Sequence, residues 1–266
     1  MNTPAKTLKV LAVGHSIVKG AGDGNEISMM DLRPRPPTPN APHPPEGGWN
    51  YGQFQVKPRW GDGSTPENTG GPGWVVRAAD FLPPGAIQVF NEGYSGGTAM
   101  DWDPQGLDFI GRIFVRADEP LPGDLACAVI ALMANDLNTP PDVWKARMGR
   151  VIDSLTGRGI RSILVYDWFR GVGVGEYCTG DSTARFDAMC RQIDALTAEK
   201  GLLPPLDIRT VSERNYKEEG ATYYSDMGHW QAHPNTAGMI AAARMLAAYL
   251  RELQASLISP PSILHR

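Results

Sequence analysis

Residues 9–14 read KVLAVG and run straight into His15, Ser16 and Ile17. After its first residue the run is apolar without alternation, and it ends on a small turn residue. That pattern belongs to a strand covered on both faces. Working outward, further runs of this kind occur at 86–90 (AIQVF), 125–133 (LACAVIALM) and 161–166 (RSILVY), with a weaker one at 206–211 (LDIRTV). Helical spacing fills the intervals. Residues 74–82 follow a Gly-Pro-Gly turn and stop at Pro83, and 141–155 carry Val143, Trp144, Met148, Val151, Ile152 and Leu155. Residues 182–200 have Asp181 as N-cap and Gly201 as stop, and 236–253 form the strongest helix pattern. Strands and helices alternating in this way predict an α/β fold with a parallel sheet.

The chain of 266 residues is 42% hydrophobic, enough for one sizeable domain. Its 25 basic and 29 acidic residues are mixed, and no Lys/Arg run marks a nucleic-acid surface. Neither a signal core nor a membrane-length apolar stretch is visible, so the expectation is a soluble, cytoplasmic protein with no membrane partner. Secretion with a removed signal stays open. The three cysteines, Cys127, Cys178 and Cys190, are expected to be unpaired, Cys127 within the core. Their spacing suggests no metal, and nothing calls for a cofactor. Residues 21–73 break the rhythm with clustered Pro and Gly, yet include Trp49, Tyr51, Phe54 and Trp60. The segment reads as an irregular insertion in a single domain spanning 1–266, lying beside the site or pinned to the surface.

Acyl transfer from an ester needs an activated hydroxyl, a base, a group that orients the base, and donors for the oxyanion. Candidates stand where strands end. Ser16 follows the first strand, where in an open α/β sheet the functional crevice lies. Asn91-Glu92-Gly93-Tyr94-Ser95-Gly96-Gly97 follows the second, with glycines that let the backbone approach a ligand. Asn135 and Asp136 follow the third. Asp226, His229 and His233 precede the last helix, which Pro234 introduces.

In this order the blocks resemble those of the SGNH (GDSL-like) hydrolases over nearly the whole chain, the insertion excepted. Gly14-His15-Ser16-Ile17 is similar to the Gly-Asp-Ser-Leu/Ile block, which implies Ser16 as nucleophile. Asn91 and Gly96 match the second block, Asn135 the third, and His233-Pro-Asn-x-x-Gly238 the last. The resemblance implies a three-layer α/β/α flavodoxin-like sandwich with a mostly five-stranded parallel sheet. It also implies an oxyanion hole from Ser16 and Gly96 N–H groups and the Asn135 amide, and His233 as base. Three positions depart from the pattern. His15 stands for the usual Asp, Met133 for Gly, and Trp230 for the Asp three residues before the catalytic His. Asp226 is three before His229 instead, so the base is His233, oriented by Asp226 across a longer loop or by a backbone carbonyl, or else His229 paired with Asp226.

Rival readings follow from the same residues. Gly93-x-Ser95-x-Gly97 fits a nucleophile elbow, with Asp167 as acid and His233 as base, although 98–106 make a poor following helix. A non-catalytic carbohydrate-binding relative would suit the altered positions. For the esterase the expected substrate is a short-chain ester, acetyl first, or an O-acetylated carbohydrate. Trp49, Tyr51, Trp60 and Trp102 are the candidates for stacking on sugar rings.

Overall fold

Strand β1 (Leu8–Gly14) lies inside a parallel sheet and is hydrogen-bonded on both sides in the computed structural model, which describes residues 7–20, 73–94, 96–115, 120–168, 182–209, 234 and 236–258. On one side β2 (Ile87–Asn91) pairs in register Leu8↔Ile87 to Ala12↔Asn91. On the other, β3 (Cys127–Ala131) pairs from Val10↔Cys127 to Gly14↔Ala131. Beyond β3 come β4 (Arg161–Tyr166) and β5 (Leu206–Asp207), giving the order β2-β1-β3-β4-β5, all parallel. This is the flavodoxin-like order.

Two apolar clusters flank the sheet, and alternate strand residues feed each of them. Leu11, Val13, Ala128, Ile130 and Leu164 face one cluster, while Val10, Ala12, Val129, Ile163 and Val165 face the other. The first is covered by α3 (Ala99–Trp102), α4 (Phe109–Val115), α5 (Pro141–Thr156) and α6 (Ser182–Lys200). The second is covered by α1 (Ser16–Lys19), α2 (Gly73–Arg77) and α7 (Thr236–Ile258). Right-handed crossovers require this division. The step from β1 to β2 moves one way across the sheet and carries its helix to one face. The steps β2→β3→β4→β5 move the other way and carry theirs to the opposite face.

The result is a three-layer α/β/α sandwich: the parallel sheet that the apolar runs predict, in the layers that the resemblance implies. Strand β4 and helix α6 match their expected bounds, whereas β5 extends over only two described residues, and 210–211 lie outside the described set. Helix α2 passes into a 3-10 turn at Ala78–Phe81 before Pro83. Val143 is 43% exposed and does not join the buried face of α5. Helices α3 and α4 were not expected. Four residues carry too little periodicity to register, and Ala99–Trp102 begins instead on local chemistry: the Thr98 N–H and hydroxyl both donate to Asp101, at 2.8 Å each. At its far end Asp103 accepts a two-pronged grip from Arg150 of α5, at 2.7 and 2.5 Å.

The last helix has a defined direction. Tyr249 donates to the Pro204 carbonyl and Arg251 to that of Phe81, and both acceptors precede strands, β5 and β2. The second half of α7 therefore sits at the N-terminal edge of the sheet. Thirteen residues separate Thr236 from Tyr249, a rise of roughly 20 Å, so α7 begins toward the C-terminal edge.

Gly14 closes β1 where nothing larger fits. A Cβ there would lie 2.3 Å from Val18 Cγ2 and 2.7 Å from the Ala131 carbonyl oxygen. Gly14→Ala is expected to lower stability by about 1–3 kcal/mol, because backbone of β3 cannot yield as a side chain can. Urea unfolding of the two proteins measures it; equal midpoints refute the close-approach account.

Candidate active site

Strands β1 and β3 are neighbours whose chains depart in opposite directions, and such a switch point opens a crevice at the carboxyl ends. Ser16, Gly96 and Asn135 come together there. Ser16 is the first residue of α1, 7% exposed, and the capping role belongs to His15, whose Nδ1 accepts the Ile17 N–H at 3.2 Å. Gly20 ends the turn in a left-handed conformation, φ 106°.

The loops after β1, β2 and β3 are laced together. Tyr94 N–H donates to the Gly14 carbonyl at 2.9 Å, and Gly97 N–H to that of Tyr94 at 2.9 Å. Gly96, at φ 76°, makes the turn between them, in a conformation that few side chains tolerate. The Asn135 Nδ2 group donates to the Gly97 carbonyl at 3.1 Å, which sets the amide beside the glycine turn. The next residue, Asp136, accepts the Ala99 N–H at 2.7 Å and the Thr139 hydroxyl at 3.0 Å. Asn91 works behind the site: its side chain donates to the Val18 carbonyl and accepts the Gly93 N–H, both at 3.0 Å. It joins α1 to the β2 loop.

A contact that sequence reasoning missed lies beneath this edge. His15 Nε2 stands 2.6 Å from Asp167 Oδ2, and neither side chain is exposed to solvent. The same oxygen accepts the Met133 and Ala134 N–H groups at 3.2 Å each, while Oδ1 accepts the Trp168 N–H at 2.8 Å. Burial acts to raise the Asp167 carboxyl, but His15 and the backbone donors outweigh it and hold the group below the ordinary carboxylate range. An available signal was the placement of complementary residue types, His15 after β1 and Asp167 after β4, at one sheet edge.

Other expectations fare differently. Trp102 is a correction: it is fully buried in the core, edge-on to Phe109 with ring centroids 5.9 Å apart, and presents no face to a sugar. Asp167, the acid of the rival elbow, is committed to His15 and the strand ends. The helix after that elbow starts only at Ala99, and Ser95 itself lies outside the described residues. Asp226, His229, His233, Trp49, Tyr51 and Trp60, with all of the insertion at 21–73 except Gly73, also lie outside them, as does Cys178. Cys127 and Cys190 are buried free thiols. No described helix is long and apolar enough to cross a membrane.

No protein-family model and no curated protein matches the sequence. Solved structures do match the fold. A mutant of an acetyl-xylooligosaccharide esterase from Geobacillus stearothermophilus is 17% identical, over 94% of this chain and 96% of that chain, with a TM-score of 0.57. A carbohydrate acetylesterase from Sinorhizobium meliloti is 15% identical over 93% and 100%, with a TM-score of 0.55. The native aryl esterase of M. smegmatis gives the same 15%, 93%, 100% and 0.55. The chain shares the fold of these esterases.

Burial pushes the Asp136 carboxyl up to about 6, against an ordinary value of 3.8, despite its two hydrogen bonds. Between these values the folded protein binds more protons than the unfolded chain, so stability falls as pH rises from about 4 to about 6. Asp136→Asn is expected to flatten that slope in thermal unfolding measured across the pH range. An unchanged slope assigns the titration to another group.

Proposed function

We propose that this chain, built on the SGNH hydrolase fold, is a serine esterase that removes short acyl groups, acetyl first, through an acyl-Ser16 intermediate. The observation that carries the reading is the meeting of Ser16, Gly96 and Asn135 at one sheet edge, tied to one another through Tyr94, Gly14 and Gly97. Helix α7, which follows His233 in the chain, begins toward that same edge.

In this mechanism Ser16 Oγ attacks the ester carbonyl carbon while His233 takes the hydroxyl proton. The carbonyl oxygen becomes an oxyanion that accepts from the Ser16 and Gly96 N–H groups and the Asn135 amide. Donors fixed by the fold need no reorganisation as charge develops, which is why such sites stabilise the transition state. Collapse expels the alcohol, protonated by the same imidazole. Water, deprotonated by His233, then attacks the acyl carbon and releases the carboxylic acid and the serine. Asp226 orients His233; the other arrangement of this loop makes His229 the base.

The alcohol portion is proposed to be a carbohydrate. Two structural neighbours act on acetylated sugars by their descriptions, and Trp49, Tyr51 and Trp60 of the insertion offer flat apolar faces of the kind that stack on sugar rings.

Ser16→Ala is expected to lower kcat on p-nitrophenyl acetate by at least about 10³-fold, and a fluorophosphonate probe to label wild type at Ser16 only. Unchanged turnover removes Ser16 from the reaction. His233→Ala set beside His229→Ala identifies the base by the larger loss. Across p-nitrophenyl esters of rising chain length, activity is expected to decline from the acetate, and acetylated xylan to be deacetylated. An optimum at long chains ends the sugar-acetate reading.

A further inference from the structure

His15 and Asp167 take no part in the chemistry just described, yet they form a completely enclosed pair linking residues 152 positions apart. A buried carboxylate is tolerated only when donors replace its water. Asp167 collects them from three sources: the imidazole after β1, two N–H groups after β3, and the N–H of Trp168 after β4. Strand β3 lies between β1 and β4, so its end is clasped beneath the bond that spans them.

The pair also dictates which imidazole nitrogen carries the proton. A backbone N–H can only donate, so Nδ1, which receives the Ile17 N–H, offers its lone pair. Nε2 then bears the hydrogen and donates to Asp167. With both nitrogens engaged and the ring fully buried, His15 has no atom to offer a substrate. Its effect falls on the residue it brackets: Ser16 is joined covalently to His15 and followed by Ile17, whose N–H the same ring holds.

Resting on the reading of Ser16 as nucleophile, we infer that His15 and Asp167 are a matched positioning pair that sets the Ser16 hydroxyl against the donors after β2 and β3. The identity of residue 15 is therefore coupled to that of residue 167. A carboxylate at 15, as in the Gly-Asp-Ser-Leu/Ile block, would face the Asp167 carboxylate, and two like charges in contact cannot both stay ionised.

The test compares wild type, His15→Asp and the double variant His15→Asp/Asp167→Asn, using kcat and KM on p-nitrophenyl acetate and the rate of fluorophosphonate labelling at Ser16. His15→Asp is expected to lose about 30-fold or more in kcat and in labelling rate, with KM within about threefold, since binding contacts are untouched. The double variant is expected to regain about tenfold over His15→Asp, the non-additivity of residues in contact. A His15→Asp protein as fast as wild type overturns the inference alone, and so does a double variant no better than the single one. Hydrolysis by wild type without labelling of Ser16 overturns the nucleophile assignment and this inference with it. One measurement needs no variant: nitrogen-15 NMR of the wild-type His15 ring at neutral pH is expected to show a proton on Nε2 and none on Nδ1. A proton on Nδ1 overturns the pairing.

Discussion

The Asp167 carboxylate is placed where a charge costs most, sealed under the carboxyl edge of the sheet, and its four hydrogen-bond donors come from the ends of β1, β3 and β4. Strand ends in a parallel sheet leave backbone groups without ladder partners, and a buried N–H without an acceptor is costly, as is, by a larger amount, a buried charge without a donor. Each defect satisfies the other. The Met133 and Ala134 N–H groups, pointing past the end of β3, find an acceptor only because Asp167 is there. In turn, Asp167 stays ionised because they and His15 surround it. Taking away one member leaves the remainder buried and unpaired, which is why such a cluster behaves as a unit.

From that cluster the rest of the edge is assembled in layers. His15 transmits the constraint to α1 and hence to Ser16. Gly14 lets α1 turn back closely over β3, and its carbonyl receives Tyr94, which brings the glycine turn of the β2 loop alongside. Asn135 and Asp136, consecutive in the β3 loop, bond to Gly97 and Ala99 and complete the tie. Farther out, the charged grip of Arg150 on Asp103 fixes α3 against α5. The hydroxyl, the glycine turn and the amide are thus held by backbone and buried polar contacts. Preorganisation of this kind is what acyl transfer requires of its oxyanion donors.

Legibility in the sequence varied with the range of the interaction that decides each feature. The central strands were visible as apolar runs because both faces of the sheet are covered, and α5 and α6 because one side of each helix meets the core at regular spacing. The segments bearing Ser16, Gly96 and Asn135 were visible as turns after strands, and those three residues became candidates through the resemblance of their blocks. Helix α3 was not, since four residues carry no period and its start depends on Thr98 and Asp101. Trp102, a candidate for stacking on sugar rings, misled: α3 turns it inward against Phe109.

By itself, then, the chain's order of apolar runs and turns determined a parallel α/β sheet covered on both faces, and the resemblance of its blocks put the candidate nucleophile and oxyanion donors after strands, since these features depend on local periodicity and on neighbours along the chain. Only the folded molecule decided that His15 caps α1 in place of Ser16, that it reaches across β3 to Asp167, and that Trp102 belongs to the core. Those outcomes depend on groups far apart in sequence meeting in a dry interior, where the demand for hydrogen-bond partners selects the contact, and no local pattern records that demand.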